Sequence, residues 1–550
     1  MSERVLPGTS IREITEGLIG IPAVGSVAAK LVGTACKGSD EPQFFGPGEL
    51  SKFLEEYGPA DPYQYNSTTY VAGTSPYGEL SLVRAGKLLF GVAPPGGVWV
   101  CRALSGAVKA VGAAVASTAS DSVFNFTATE YGAWFNNFNF KFQADYDAEG
   151  NSMTAAVTKR LSTFWLQIPS SDLFDSAIES TGLSQNQFYK DTIGIAFEFS
   201  SLTANTSATG GDFVSAWTAA SNPLNSYFTL TNTGTEAGVL PNNQTTFTSL
   251  LTSGDTAGTN WSSNDQAAAT TTINSAALEQ MRVKDARLTI IAGHNTGNIS
   301  VGQSHVGSVS RAKHEQVFVC GVENETSQDT MVASILTASE YNLVDARVVI
   351  VAPGVQQTNP YKDSALAWEV PAINTDDNIV LSGGYAASMV AGIIANNVPD
   401  QSPMNKGLVG ISGLEFDLTR ANQKRLVRDD FFLLVDDGGY RTLDDRTTAG
   451  EGDPFQQIST RMALDDIKYA LRLAAKPFIG KKNVPRVRAG LRKNLEFVMR
   501  GYERREIVNS GWLLDIVSSR TEQIIGVVRG TLILQLVFYI KFIEIDLVLE

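Results

Sequence analysis

The alternation of apolar and polar residues is most regular at the end of the sequence, from Gly530 to Glu550. Between Leu532 and Phe542 every even-numbered residue is apolar, whereas the odd-numbered residues include Gln535 and Lys541. β-Branched, aromatic and aliphatic residues dominate and proline is absent, so the pattern predicts a β-strand. After Phe542 the phase shifts by one residue. Because strand side chains alternate between two faces, this shift indicates a bulge or a break into a second strand.

In the second half of this stretch the odd-numbered residues form the apolar set: Ile543, Ile545, Leu547 and Leu549. A strand with one apolar face and unpaired N–H groups is a template for pairing. The pattern alone leaves two alternatives open. Residues 543–550 are either an edge strand of the protein's own sheet or an arm that adds to the sheet of another molecule.

Residues 1–25 favour the second alternative, because they form another short extended segment with no evident partner. Proline and glycine flank the piece from Thr9 to Ile14, in which Ile11 and Glu13 share one face. Such a piece is too short to fold alone. We therefore expect both ends of the sequence to be arms that pair with neighbouring molecules.

The intervening pattern changes twice. Residues 27–109 predict two strands, over 27–38 and 96–104, and two amphipathic helices, over 46–58 and 80–90. From 110 to 277 serine, threonine, asparagine, glycine and alanine dominate, and residues 136–142 alternate strictly, which predicts a β-rich insertion.

From residue 277 apolar strands alternate with helices, which predicts a partly parallel sheet covered on both faces. A helix rich in small residues is predicted over 383–394 and a hairpin over 430–443. The last hundred residues predict helices over 459–476 and 484–502. Strands over 512–517 and 524–529 and the terminal strand should complete a sheet there.

Composition narrows the possible functions. A chain of 550 residues should form about two to four domains. A formal charge of −14 argues against nucleic acid as a direct partner. No apolar run reaches the ~18 residues of a membrane helix, and no signal peptide is expected. Cys36, Cys101 and Cys320 are too few and too scattered for a disulfide framework or a zinc site, so we expect them to be buried as small apolar residues.

The search for catalytic chemistry gives little. His294, His305 and His314 have no metal-ligand spacing, and no phosphate-binding loop motif is present. Ser304 adjoins His305, but adjacent residues do not give the geometry of a nucleophile and its base. The Asp pairs at 429–430, 436–437 and 444–445 could bind a hard cation, although solvated turns are the more common role. We therefore expect no enzyme activity, no metal and no cofactor.

Several motifs, in this order, resemble those of the tail sheath proteins of contractile phages and related injection systems. They cover residues 1–105 and about 277–550, whereas the predicted insertion between them matches nothing in that family. The segments that carry the resemblance are Pro7–Glu13, Val32–Gly38, Glu49–Gly58, Gly96–Arg102, Ala391–Ile393, Gly407–Ile411, Arg441–Leu443, Arg461–Phe478 and Leu491–Leu495. Two segments depart from the family pattern. Residues 396–406 lack the usual Trp-x-x-Pro-Ala motif, and the loop 356–380 is longer than expected.

The resemblance implies a multidomain α/β and α+β protein with a non-catalytic core that is subtilisin-like in fold. The implied division is an arm (1–25), a small α/β domain (26–109), an outer insertion (110–277), the sheath core (278–455), a tube-facing domain (456–542) and an arm strand (543–550). Hexameric rings of the protein would stack into a helical sheath that contracts and drives an inner tube through a cell envelope.

The implied partners are further copies, the inner tube protein, and the baseplate and tail terminator proteins. There would be no membrane insertion. The implied location is a phage tail or injection particle that is assembled in the host cytoplasm. A capsid-like or surface-layer polymer and an α/β hydrolase are the alternatives.

One segment near the end of the sequence is strongly basic. Residues 461–506 contain 13 basic and 5 acidic residues in a chain whose net charge is −14. At ~100° per residue, Arg486, Lys493, Arg500 and Arg504 lie within ~40° of one another, opposite the apolar face of the predicted helix. A solvated helix face is one interpretation. In the sheath family the corresponding helix meets the inner tube, so we expect these four side chains to be tube-facing.

Overall fold

The computed structural model describes residues 27–35, 38–57, 81–104, 109–115, 122–131, 139–144, 161–167, 194–198, 210–219, 228–232, 251–252, 274–293, 297–312, 314–358, 378–397 and 401–539. Within these residues the largest element is an eight-stranded sheet. Its strands, in spatial order, are β18 (Tyr440–Thr442), β17 (Phe432–Asp436), β13 (Val348–Ala352), β12 (Val317–Gly321), β11 (Leu288–Ile291), β1 (Ala29–Gly33), β3 (Val98–Arg102) and β2 (Gln43–Phe45). The five central pairs are parallel and the two outermost pairs are antiparallel.

Helices cover both faces of this sheet, as the sequence predicts. The strand residues alternate between two apolar clusters, so that Leu31 belongs to one and Val32 to the other. The first cluster is covered by α1 (Leu50–Tyr57), α2 (Ser81–Gly91) and α7 (Gly383–Asn396). The second is covered by α4 (274–280), α5 (Asn298–Arg311), α6 (Gln328–Thr337) and α8 (Arg420–Arg428).

The helix α7 approaches the sheet more closely than side chains would allow. A Cβ atom added at Gly321 of β12 would lie 2.0 Å from the backbone of Gly383, at the start of α7. All described residues of α7 from Gly383 to Ala395 are buried. The predicted close packing of this small-residue helix is confirmed.

The first part of the chain shares the main sheet with residues 288–442. β1 pairs in parallel with β3 on one side and with β11 on the other, where Leu31 lies opposite Ile290. The predicted small domain (26–109) and the predicted core (278–455) therefore share one sheet and one apolar core. The pairing of Leu31 with Ile290 joins segments about 260 residues apart, which no local pattern reveals.

The region between β3 and β11 is rich in strands. Two sheets are described, with strand orders β10-β4-β5-β9 and β6-β7-β8. The strands and one helix are β4 (Lys109–Val115), β5 (Ser122–Tyr131), β6 (Asn139–Ala144), β7 (Leu161–Gln167), β8 (Gly194–Glu198), α3 (Gly210–Ala219), β9 (Phe228–Asn232) and β10 (Leu251–Thr252). The buried guanidinium of Arg102 joins this region to the main sheet, because it donates to the carbonyl oxygens of Ala35, Gly38 and Tyr131.

A smaller sheet, β15-β14-β16, lies near the end of β13; its strands are β14 (Val355–Thr358), β15 (Asn378–Leu381) and β16 (Gly413–Leu414). The last elements are α9 (Ile458–Ala475), α10 (Pro485–Glu503), β19 (Leu513–Val517), α11 (Arg520–Ile524) and β20 (Arg529–Ile533). β19 and β20 form an antiparallel pair. No described helix is long and apolar enough to cross a membrane.

Two sequence predictions fail in this last region. The predicted strand at 524–529 is a helical turn followed by a loop, because Ser519 and Glu522 form a capping box that starts α11. The terminal strand is also interrupted earlier than expected: β20 ends at Ile533, and in the described residues after it, up to Tyr539, only an isolated bridge between Leu536 and Val508 follows. Of the even-numbered apolar residues in this stretch, Leu534 and Leu536 are buried, whereas Phe538 is 55% exposed.

Candidate assembly surface

The residues predicted for the inter-subunit arms lie outside the described residues, which begin at residue 27 and end at residue 539. They are Ile11, Glu13, Ile543, Ile545, Leu547 and Leu549. The arm prediction therefore stays a prediction.

A row of charged residues precedes three neighbouring strands of the main sheet. Arg287, Glu315 and Arg347 stand one or two residues before β11, β12 and β13, respectively. Because parallel strands begin at the same edge of a sheet, these side chains share that edge. The helix α9 lies along it and supplies groups of opposite charge.

Asp465 of α9 is the centre of the first ion-pair group. Its carboxylate accepts hydrogen bonds from both terminal nitrogens of Arg347, at 2.7 and 2.9 Å, and another from Arg461. The side chains of Asp465 and Arg461 are both 2% exposed. Burial alone would raise the pKa of Asp465, but the guanidinium groups of Arg347 and Arg461 outweigh it and hold this pKa below its usual value.

Asp466 links α9 to both the sheet and α10. One carboxylate oxygen accepts from Arg287 at 3.2 Å, and the other accepts from the hydroxyl of Tyr502 at 2.7 Å. Burial, with the Asp466 charge beside it, raises the pKa of Tyr502 above its usual value, so this phenol stays a hydrogen-bond donor. Two turns farther along α9, Arg472 pairs with Glu315, with one nitrogen–oxygen distance of 2.7 Å.

A buried carboxylate also caps α9. Asp445 accepts hydrogen bonds from the backbone N–H groups of Ile458 and Ser459, at 2.8 and 3.3 Å. A negative charge at a helix N-terminus is favourable because the first N–H groups of the helix have no partner within it.

The neighbouring Asp side chains are paired as well: Arg446 bonds Asp430 at 2.8 Å and Asp444 at 2.6 Å. The prediction of solvated turns is therefore wrong for 430, 444 and 445, whereas Asp436 and Asp437 lie in an exposed turn as predicted. Within the described residues no group of carboxylates, histidines and cysteines could hold a metal ion.

The basic segment predicted from the sequence is consequently not one surface. Arg461 and Lys468 are buried, and Arg472 is largely buried against Glu315. They are shielded from solvent because α9 is buried through most of its length. Beyond α9, residues 476–506 contain ten basic and three acidic residues, so the excess positive charge belongs to α10 and the loop before it.

The helix α10 packs against α9 through one face only. Met499 and Tyr502 are its buried residues, and Asn494 donates to the carbonyl oxygen of Ala474 at 2.6 Å. The proline at its first position suits a helix start, because the N–H that proline lacks would have no helical partner there.

The opposite face of α10 is the basic stripe, which consists of Arg486, Lys493, Arg500 and Arg504. All four side chains are exposed, and none has an ion-pair partner among the described residues. The cations beside the stripe differ: Arg492 pairs with Glu496 at 2.7 Å, and Arg488 donates to Asn483 at 2.9 Å. The structure thus places the four predicted residues together on an outer face.

The β19–β20 pair is a second exposed feature. Leu513 lies opposite Ile533, and these two apolar side chains are 65% and 53% exposed. Val517, on the same face of β19, is also exposed. Two-stranded sheets are marginally stable in water unless further strands or a packed face support them. Within the described residues, neither outer edge of this pair has a strand beside it.

The serine–histidine pair tested as a catalytic site lies on a helix. Ser304 and His305 are consecutive residues of α5, so their side chains point ~100° apart. Burial, together with the charge of Lys30, lowers the pKa of His305 to about 4, which keeps this imidazole neutral. Cys101 and Cys320 are buried, as predicted, whereas His294 and Cys36 lie outside the described residues.

Comparison with solved structures identifies the fold of the chain, whereas comparison of sequences finds no match. No protein-family model matches the sequence, and no curated protein sequence is significantly similar to it. The sheath tail protein of Desulfitobacterium hafniense superposes with a TM-score of 0.50 and 12% identity. The superposition covers 92% of this chain and 93% of that protein. The chain has the fold of a tail sheath protein.

Two further solved structures show weaker similarity to this chain. The sheath tail protein of Listeria innocua has a TM-score of 0.49 and 10% identity, covering 90% of this chain and 89% of that protein. The contracted sheath of an extracellular contractile injection system has a TM-score of 0.39 and 15% identity, covering 50% of this chain and 75% of that protein.

Proposed function

We propose that the protein is a structural subunit of a contractile tail sheath, and that it has no catalytic role. The observation that carries the proposal is the fold similarity to a sheath tail protein, which covers 92% of this chain and 93% of that protein. In this function the subunits form hexameric rings that stack into a helix around an inner tube. Contraction of that helix drives the tube through the envelope of a target cell.

The proposed partners follow from that role. They are further copies of the chain, an inner tube protein, and the baseplate and terminator proteins at the two ends of the sheath. We place the assembled protein in a phage tail or in a related injection particle that is built in the host cytoplasm. Neither nucleic acid nor a membrane is a direct partner in this proposal.

Contacts between copies would use the arms. The apolar sets at Ile543–Leu549 and at Ile11 suit β-strand addition, in which backbone hydrogen bonds join one chain to the next. We assign the β19–β20 pair as the acceptor, because both of its outer edges are open among the described residues and exposed apolar side chains lie on one face. Each added backbone hydrogen bond contributes about 0.5–1.5 kcal/mol, so a few bonds suffice to hold neighbouring subunits.

Contact with the inner tube would use the basic stripe. Its four charges are exposed and unpaired among the described residues, so opposite charges on a partner would meet no competition from within the chain. Exposed charge pairs act over about 8 Å at physiological salt and contribute little each. Such a contact can hold the tube before contraction and release it when the subunits move.

Electron microscopy of the purified, negatively stained protein tests the proposed function. Tubes with a hollow bore are the expected result. Flat lattices would indicate a surface-layer polymer instead, and monomers at all concentrations would contradict a polymer of any kind.

Deletion of residues 543–550 sharpens the test of the arm contact. The deletion should leave a folded protein that no longer forms tubes, because β20 ends at Ile533 and the last described bridge is at Leu536. Thermal unfolding of the truncated chain provides the control for folding. Tubes formed by the truncated chain would contradict the arm contact while leaving the sheath function itself standing.

A further inference from the structure

Phe497 lies within the basic stripe and faces solvent. It is 77% exposed, whereas Met499 and Tyr502 of the same helix are buried. At ~100° per residue, its side chain lies within ~60° of each of the four stripe cations. It follows Lys493 by one turn and precedes Arg500 by one turn, so the ring stands between two cations along the outer face of α10.

The ring of Phe497 has no described partner, whereas neighbouring aromatic rings do. Lys481 lies 4.6 Å from the centre of the Phe478 ring, and the guanidinium of Arg287 lies 4.9 Å from that of Tyr469. No cation and no second ring covers Phe497 among the described residues. An exposed aromatic ring therefore projects from a face that is otherwise cationic.

We propose that Phe497 is the apolar anchor of this face and inserts into an apolar recess of the inner tube protein that is rimmed by carboxylates. The inference rests on the tube-facing role proposed above and adds the chemistry of the partner to it. Interfaces commonly concentrate their binding free energy in a few aromatic and arginine side chains that are buried in the complex. Four cations around one ring match a recess of opposite charge, because a partner with basic side chains would be repelled by the stripe.

The two components of this contact differ in their response to salt. Attraction between exposed charges is screened, with a Debye length of about 10 Å at 0.1 M salt and about 3 Å at 1 M. Burial of an aromatic ring involves no charge and is not screened. The contribution of Phe497 should thus persist at salt concentrations that remove the contribution of the stripe.

The experiment measures co-sedimentation of the full-length protein with tubes assembled from the tube protein of the same particle, at 0.1 and 1 M salt. Phe497→Ser should weaken the association about ten- to thirtyfold at both salt concentrations. Phe497→Leu should retain most of the affinity. Arg486→Glu with Arg500→Glu should weaken it strongly at 0.1 M salt and much less at 1 M.

Val409→Ser is the matched control. Val409 is 57% exposed and lies next to Leu408, whose N–H donates to Tyr440 at the opposite edge of the sheet from α9. This variant should bind tubes like the wild type, and all variants should unfold at the wild-type temperature, because each altered side chain is exposed.

The outcomes separate the two proposals. A change of less than twofold for Phe497→Ser, with the charge reversals still effective, would overturn the anchor and leave the tube-facing stripe in place. An equal loss for Val409→Ser would also overturn it, since the effect would then belong to any exposed apolar residue. If neither Phe497→Ser nor the charge reversals weaken association with tubes, the tube-facing role of α10 is itself wrong.

Discussion

The helices α9 and α10 follow one another in the chain and are both rich in arginine and lysine, yet they use these residues in opposite ways. In α9 the charges of Arg461, Asp465 and Asp466 are buried and bonded to one another or to residues at the sheet edge. In α10 the four cations of the basic stripe are exposed and have no described partner. The net charge of a sequence segment does not distinguish these two roles, because the role of each charged side chain depends on whether it is buried and paired or exposed to solvent.

The comparison predicts different consequences for stability and for assembly. A buried ion pair is a weak source of stability compared with apolar packing, but removing one partner leaves an isolated buried charge, which is strongly unfavourable. Exposed charges contribute little to folding and are free to contact another protein. Substitutions in α9 should therefore affect folding, whereas substitutions on the stripe should affect assembly.

The largest effect is expected for Asp465→Ala. This substitution leaves Arg347 and Arg461 buried without their shared carboxylate, at a cost of about 3–5 kcal/mol in the free energy of unfolding. Thermal or denaturant unfolding of the purified variant measures the loss. Glu496→Ala is the control, since it removes only the exposed partner of Arg492 on α10 and should cost about 0.5 kcal/mol or less. Equal losses for the two variants would contradict the comparison.

The next effect, of opposite sign, is expected for Lys468→Met. Burial lowers the pKa of Lys468 to about 8, so its charged form is disfavoured in the folded protein. Between pH 8 and about 10.4 the folded state releases this proton before the unfolded state does, and the stability of the wild type should rise there. The Met variant should be more stable at pH 7, by about 2–3 kcal/mol, and should lack that rise.

The matched variant is Lys493→Met, in which an exposed lysine of the stripe is replaced. It should leave the free energy of unfolding at pH 7 unchanged to within about 0.5 kcal/mol, because the Lys493 side chain is exposed. Loss of stability at pH 7 in Lys468→Met would show that the ammonium group is favourably held where it is, contrary to the account.

A smaller loss is expected for Tyr502→Phe, which removes one hydroxyl between α10 and α9. The buried Asp466 would lose the hydrogen bond of 2.7 Å from that hydroxyl, while its bond from Arg287 remains. The expected cost is about 1–3 kcal/mol in the free energy of unfolding. Hydrogen exchange should show faster opening of α10. Unchanged exchange in α10 would mean that this bond does not join the two helices.

The smallest effect on folding is expected for Arg486→Glu combined with Arg500→Glu. Both side chains are exposed, so the free energy of unfolding should change by less than about 0.5 kcal/mol. The variant should also polymerise like the wild type when the inner tube protein is absent. A large loss of stability in this variant would show that the stripe is part of the fold rather than a contact surface.

Much of this organisation is visible in the sequence, and the exceptions have physical reasons. The apolar periodicity of α9 and α10 gives both helices to within a few residues, and the stripe follows from the same periodicity. The helix α5 is missed because glycine, serine and His305 dilute its buried set of Ile299, Val306 and Val309. The helix α8 is missed because only Leu426 is buried in it.

The burial of charges on α9 is harder to predict than the helix itself. Asp466 lies three residues after Ala463 and four before Ala470, on the apolar face, which is a signal that the sequence offered. No local pattern reveals that Arg287 and Arg347 meet this helix, because their positions depend on the order of strands in the sheet. The capping box of Ser519 and Glu522 would have distinguished α11 from a strand.

The most direct test is a structure of the extended particle by electron cryo-microscopy, in which every copy of the subunit and the tube are seen together. We expect α10 to face the bore, with Arg486, Lys493, Arg500 and Arg504 next to acidic side chains of the tube and with Phe497 in an apolar recess. We also expect the Asp465 and Asp466 ion pairs of α9 to remain intact. A particle in which the stripe faces away from the tube would contradict the tube-facing role.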